Sequence, residues 1–102
     1  MLVFFSTFAD KKSALSFSRK VVRAKLAACV NIVDRVTSVY QWKDELKSES
    51  EVLIIGKTSL AAFKKLKRQM AKLHPYEVPE LICFEIKDGA ESYMEWLVDT
   101  FL

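Results

Sequence analysis

The sequence predicts an α+β fold in which helices cover a single sheet of four strands. Apolar runs rich in β-branched and aromatic residues recur along the chain, and amphipathic segments with helical spacing lie between them. Hydrophobic residues make up 51% of the chain, which has 102 residues and only two glycines. A core can therefore form without a metal or a disulfide, and we expect residues 1–102 to be one domain.

The first half of the chain predicts a strand, a helix and a long strand. Residues 2–8 are almost continuously apolar, which is typical of a strand buried on both faces. Asp10 stands at an N-cap position before an apolar stripe of helical spacing. The stripe consists of Ala14, Phe17, Val21, Ala24 and Ala28. Residues 29–42 then form a second strand, with one alternating apolar set at Val30, Ile32, Val36, Tyr40 and Trp42.

The second half predicts a hairpin, a helix, a strand and a final helix. Residues 43–50 are charged and should form the polar tip of a hairpin whose other strand spans 51–58. Thr58 or Ser59 can cap the helix that follows, with its stripe at Phe63, Leu66, Met70 and Leu73. A strand over 81–87 and a turn at Asp88–Gly89 precede the last helix, whose apolar side is Tyr93, Trp96, Leu97 and Phe101.

This order of elements is that of the split βαβ, or ferredoxin-like, arrangement with an additional C-terminal helix. The corresponding sheet order is 4-1-3-2, which separates the strands of Cys29 and Cys83 by three strand spacings, about 14 Å. A disulfide requires Cα atoms within about 7 Å. The two cysteines are therefore expected to be reduced and unpaired.

Composition also bears on partners and location. The net charge is +3, and the basic cluster around Lys64–Lys72 is typical of the solvated face of one helix. We therefore expect no nucleic-acid partner. The apolar stretch at the N-terminus is too short for a signal peptide or a membrane span, so we expect no membrane partner and a cytoplasmic protein.

The segment from His74 to Glu80 is the main candidate for a site. It contains the only histidine and both prolines, and Pro75 should end the preceding helix by moving His74 out of the helical region. His74 could be a base, a proton sensor or a metal ligand, or it could simply end the helix and pack on Tyr76. Glu77 and Glu80 could act as paired carboxylates or lie solvated.

Three further residues suggest contacts outside the core. Tyr40 and Trp42 share a face of a strand that is too long for one small sheet to cover, which favours an interface. Lys57 ends the third strand and could bind an anion or a carboxylate. No nucleophile is paired with a base, so an enzyme is not expected.

Several strings together resemble one family, the CutA (CutA1) divalent-cation tolerance proteins. They are KLAACVNI at 25–32, TSVYQWK at 37–43, EVLIIGKT at 51–58, HPYEVPE at 74–80 and YMEWL at 93–97. The resemblance implies a homotrimer similar in architecture to the PII signalling proteins, with hairpins paired between subunits. It also implies a cleft between subunits, lined by Tyr40, Trp42, Lys57, Tyr76 and Glu77.

The same resemblance implies a link to copper and other divalent metals, without an established reaction. Copper-binding bacterial members resemble this chain around His74 but have a cysteine and a second histidine where it has Ser6 and Leu73. We therefore expect Cu(II) or another divalent cation to bind weakly, with His74 as the remaining ligand. The alternative is a structural or anchoring trimer with no physiological metal.

Overall fold

A computed structural model of the chain describes residues 1–102. The elements in order are β1 (Leu2–Phe8), α1 (Lys11–Arg23), β2 (Cys29–Trp42), β3 (Glu45–Thr58), α2 (Leu60–Leu73), β4 (Ile82–Glu85) and α3 (Glu91–Asp99). The four strands form one antiparallel sheet in the order β2-β3-β1-β4. The predicted fold class and sheet order are thus confirmed, although β4 is shorter than predicted.

Helices α1 and α2 cover one face of this sheet. Alternate residues of β1 and β3 point toward them, and Phe4, Phe8 and Ile54 are completely buried there. The helices contribute the other half of the core with Ala14, Phe17, Val21, Phe63, Leu66 and Met70. The core therefore lies on one side of the sheet only, and we call this side the helix face.

Helix α1 begins as predicted but ends earlier. The Asp10 carboxylate accepts a hydrogen bond from the Ser13 backbone N–H at 2.7 Å, which caps the first turn. At the other end Leu26 donates to the Val21 carbonyl and Lys25 donates to the Val22 carbonyl, with Lys25 in the left-handed region at φ 57°. This Schellman motif ends the helix at Arg23, so the predicted stripe was too long by Ala24 and Ala28.

Helix α2 is bounded by the residues that the sequence indicated. Ser59, one of the two predicted caps, accepts a hydrogen bond from the Ala62 backbone N–H at 3.1 Å. His74 donates its backbone N–H to Met70 but has an extended conformation, φ −104° and ψ 137°. Pro75 imposes that conformation on the residue before it, and the helix therefore ends at Leu73.

The connection between β2 and β3 is shorter than predicted. Trp42 pairs with Glu45, so the tip is a turn of two residues, Lys43 and Asp44, both with positive φ (50° and 64°). Two positive φ values are the geometry of a type I′ turn, whose twist matches that of the strands. Residues 45–50, predicted as part of a loop, belong to β3, and the hairpin lengthens the molecule to 45 × 26 × 22 Å.

A bulge in β2 changes which residues share a face. Val33 pairs with Leu53 and Val36 pairs with Glu51, so two residues, Asp34 and Arg35, stand opposite one. Arg35 has φ 58°. The predicted alternating set is therefore divided: Val30 and Ile32 pack against the core, whereas Val36, Tyr40 and Trp42 lie on the other side of the sheet.

That other side, the open face, carries apolar residues that no helix covers. Val33, Ile82 and Phe84 are 40%, 49% and 52% exposed, and the Phe84 ring packs edge-on against Phe5 at 5.4 Å. The two cysteines are free and lie on the two edge strands, β2 and β4, which agrees with the predicted absence of a disulfide. The sheet is therefore closed by α1 and α2 on one side and only partly covered on the other, where the Tyr93 hydroxyl of α3 lies 3.7 Å from Cys29 Sγ.

Candidate functional site

The loop after α2 places His74 in the core rather than at the surface. Its ring is only 5% exposed and stacks on Phe8, with centroids 4.1 Å apart and an interplanar angle of 21°. The Tyr76 backbone N–H donates to His74 Nδ1 at 3.0 Å, so Nε2 carries the proton and donates to the Thr7 carbonyl at 2.9 Å. Both ring nitrogens are therefore engaged.

The electrostatic environment keeps this imidazole neutral. Burial lowers the pKa of His74, and it outweighs the opposing influence of the Thr7 carbonyl and the Glu51 charge. A metal at either ring nitrogen would have to displace one of the two hydrogen bonds. The metal role of His74 stays a prediction, and the contacts seen here give this ring a structural role like that of the helix-ending alternative, with Tyr76 packed 4.8 Å away.

A cleft of about 750 Å³ lies between the outer half of the hairpin and the loop after His74. Four of the five residues predicted to line a ligand cleft contribute to it: Tyr40, Trp42, Tyr76 and Glu77. Strand β3 supplies Lys47, Glu49 and Glu51, and the loop also supplies Glu80. Aromatic rings and carboxylates of separate segments thus converge on one cavity on the open side of the sheet.

The fifth predicted residue, Lys57, is not part of this cleft. It pairs with Cys29 at the opposite end of β3 and donates a side-chain hydrogen bond to Asn31. Ten positions of β3 separate it from Lys47, or about 33 Å of strand. Within one chain, Lys57 and the aromatic residues of the cleft therefore cannot act on the same ligand.

The cleft is acidic and contains a fixed hydrogen bond. Four glutamates line it against a single cation, Lys47. The Tyr76 hydroxyl donates to the Glu51 carboxylate at 2.9 Å, and burial together with that carboxylate raises the pKa of Tyr76. Burial, reinforced by the Glu51 charge, also raises the pKa of Glu80. The arrangement favours a positively charged ligand.

The sequence analysis missed the carboxylates of β3. Glu49 and Glu51 alternate with Lys47 at a spacing of two, which is a strand signal, but these positions were assigned largely to a loop. A strand that begins at position 45 places all three side chains on one face. Lys47 pairs with Tyr40, so the two glutamates then lie near that aromatic ring.

Ser6 and Leu73 lie on the helix face, away from the cleft. Ser6 is completely buried and its hydroxyl has no hydrogen-bond partner, while Leu73 packs against the core. No group of three or more His, Cys, Asp or Glu side chains is placed to hold a metal ion. Neither the cleft nor the surroundings of His74 therefore forms a complete metal site within one chain.

The fold and cleft define a ferredoxin-like α+β protein with a carboxylate-rich and aromatic cavity beside a long hairpin. Comparison with known proteins shows the family. The model of the CutA1 divalent ion tolerance proteins matches residues 2–100, and the chain belongs to this family.

Relatives include the divalent-cation tolerance protein CutA of Thermus thermophilus, 41% identical over 89% of this chain and 88% of that protein. The human protein CutA is 38% identical over 91% of this chain. The chain spans about half the length of that human relative, 52%. These comparisons cover nearly all of the chain described here.

Solved structures of CutA1 proteins have the same fold as this chain. The Thermus CutA1 structure has a TM-score of 0.90 at 40% identity and covers 95% of each chain. A CutA1 mutant of Pyrococcus horikoshii has a TM-score of 0.92 at 32% identity, covering 98% of this chain and 97% of that one. The likeness therefore includes the long hairpin as well as the core.

Proposed function

We propose that this chain is a non-enzymatic binding or signalling module for divalent cations or a small ligand; the family is named for divalent ion tolerance. The observation that carries the proposal is the cleft, in which four glutamates face one lysine between aromatic walls. Carboxylate oxygens suit hard divalent cations, and aromatic faces suit organic cations. Both classes of ligand are positively charged.

Copper binding tests the metal part of the proposal. We expect weak Cu(II) binding in calorimetry, and we compare His74→Gln with Glu51→Gln and Glu77→Gln. If the cleft holds the metal, the glutamate variants weaken binding and His74→Gln does not. If His74→Gln alone weakens it, the ligand is the imidazole after displacement of its hydrogen bonds, and unchanged binding in all three variants rejects both sites.

We also propose that the chain assembles as a homotrimer through the open face and the sheet edges. Val33 on one edge strand and Ile82 and Phe84 on the other are 40–52% exposed there, and large apolar side chains left exposed on one face favour an interface. Strands β2 and β4 have unpaired edges, which pairing between subunits would cover. Light scattering at micromolar concentration should give three times the chain mass of 11.7 kDa; a monomer would reject this part.

A structural trimer without a physiological metal is the second candidate. It is favoured by the two hydrogen bonds that occupy the His74 ring nitrogens and by the placement of Ser6 and Leu73 in the core. It predicts that Trp42→Ala disrupts assembly, whereas Glu77→Gln leaves assembly intact and metal binding at background. Specific binding of any cation in the cleft that Glu77→Gln abolishes would exclude it.

We propose a cytoplasmic location for the chain. None of its helices combines the length and apolarity that crossing a membrane requires. The Arabidopsis relative is named as chloroplastic, so the compartment differs among relatives. Fractionation of cells that express the tagged protein would test the location, and recovery in an organelle fraction would contradict it.

A further inference from the structure

The modest net charge conceals a strong separation of charge between the two sides of the molecule. Eleven of the sixteen basic residues lie in or next to α1 and α2, and residues 11–33 and 52–76 contain no acidic residue. Asp10, the N-cap of α1, is the one acidic residue next to these helices, so the remaining five basic residues accompany twelve acidic ones, a balance of −7. We call the eleven the basic helix layer: Lys11, Lys12, Arg19, Lys20, Arg23, Lys25, Lys64, Lys65, Lys67, Arg68 and Lys72.

All eleven side chains are exposed, and none forms an ion pair. The single ion pair of the molecule joins Lys47 to Glu45 at 3.9 Å, in the hairpin. Several basic residues are also one helical turn apart, such as Arg19 and Arg23 or Lys64 and Arg68. Like charges at this spacing destabilise a helix slightly. The layer is thus an uncompensated positive surface.

The layer remains accessible if the chain assembles through its open face. The two helices pack on the sheet through Phe17, Val21, Phe63 and Leu66, so their charged sides point away from the sheet. The uncovered apolar residues lie on the opposite side of the sheet. The inference therefore does not depend on the cleft or on the number of subunits, provided that assembly uses the open face.

We propose that the basic helix layer docks on an anionic lipid membrane surface. Clusters of lysine and arginine on amphipathic helices are attracted to the negative surface potential of such membranes. The helices lie flat on the sheet, which matches a planar partner. Since no helix could cross the bilayer, the association would be peripheral. The expectation of no membrane partner came from the short apolar stretch at the N-terminus, which bears on spanning a bilayer and not on docking to its surface.

A nucleic acid fits this surface less well. The only aromatic residues of α1 and α2 are Phe17 and Phe63, both buried, so none can stack on an exposed base. Neither helix protrudes from the sheet to enter a groove. Eight of the eleven cations are lysines, which act as point charges and lack the planar fork of arginine.

The test is co-sedimentation of the purified, assembled protein with vesicles of phosphatidylcholine containing about 30% phosphatidylserine. The double variant Lys64→Gln/Arg68→Gln removes two charges from the layer, and Lys43→Gln/Lys87→Gln removes two charges elsewhere. Each cation near the membrane contributes roughly fivefold to partitioning, so the layer variant should lose roughly 25-fold and the control less than about threefold. Thermal unfolding should show that both variants remain folded.

Binding should vanish on vesicles of phosphatidylcholine alone and fall steeply as salt is raised. The proposal is overturned if the wild type does not sediment with anionic vesicles at low salt, or if the control variant loses as much as the layer variant. Tighter binding of a duplex DNA than of the vesicles at the same salt would also overturn it, in favour of a nucleic-acid partner.

Discussion

The two faces of the sheet are built from the same strands but meet different surroundings. On the helix face, Phe4, Phe8 and Ile54 are completely buried, whereas on the open face Val33, Ile82 and Phe84 remain 40–52% exposed. Both sets are apolar, so β1 and the inner part of β3 read as nearly continuous apolar runs. The comparison teaches that the sheet has two apolar faces, of which α1 and α2 cover only one.

Truncation of one phenylalanine on each face should separate these roles most clearly. Phe4→Ala leaves a cavity in the closed core and should lower the free energy of unfolding by about 3–5 kcal/mol. Phe84→Ala removes a half-exposed ring and should lower the stability of the single chain by less than about 1 kcal/mol. Urea unfolding measures the first effect, and light scattering over a dilution series should show weaker association for the second.

Equal losses of chain stability from the two truncations, with association unchanged, would contradict this division between the faces.

Gly56→Ala tests how tightly the helix face is packed. A Cβ at this position would overlap the ring of Phe4 on the neighbouring strand, so the ring or β3 must move. Overpacking of a core typically costs about 1–3 kcal/mol, and we expect the upper end here. Chemical denaturation measures the loss. Gly89→Ala, next to the flexible Met94 side chain, is the control and should cost clearly less.

The pH dependence of stability tests whether burial in the core keeps His74 neutral. Its pKa is lowered by burial from the ordinary 6.5, so the unfolded chain takes up a proton in acid before the folded chain does. The contribution of His74 to stability is therefore complete above about pH 6.5 and declines as the pH falls below it. His74→Gln should cost about 2 kcal/mol at pH 7.5, because two buried hydrogen bonds change.

Thermal unfolding between pH 7.5 and pH 5.5 should show a smaller acid-induced loss in His74→Gln than in the wild type. An identical pH dependence of the two proteins would show that the imidazole is not kept neutral by the fold.

The smallest expected effect is on the open side, at Tyr76. Tyr76→Phe removes the hydrogen bond to Glu51 and should cost about 1 kcal/mol or less at neutral pH, because the pair is only partly buried. The raised pKa of Tyr76 makes the wild type lose stability above about pH 10, where the unfolded phenol ionises first. Denaturant midpoints at pH 7 and pH 10.5 should converge for wild type and variant.

Midpoints that diverge as the pH rises would contradict this assignment of the Tyr76 pKa.

Much of the fold follows from local patterns. Pro75 after a helical stripe ends α2, Asp10 begins α1, and alternation identifies the strands, so element order and sheet order could be predicted. The tip of the hairpin could not, because Lys43 and Asp44 adopt positive φ without the glycine that usually signals such a turn. The strand was consequently predicted too short, and Glu49 and Glu51 were missed as residues of the cleft.

The site was predictable in part. The loop from His74 to Glu80 and the aromatic pair on β2 were identified from residue type and spacing, and they do meet around one cleft. Which way His74 points depends on its stacking against Phe8 and its hydrogen bond to Thr7, contacts between segments 67 positions apart. No local pattern contains that information.

The bulge at Asp34 and Arg35 reverses which residues of β2 lie on each face of the sheet. Before it, odd-numbered residues lie on the open face, and after it the even-numbered residues do, including Tyr40 and Trp42. If all residues of β2 alternated regularly, with no bulge, Tyr40 and Trp42 would turn away from the carboxylates of β3. The extra residue of the bulge thus decides whether the outer half of β2 directs Tyr40 and Trp42 toward the cleft or toward the helix face.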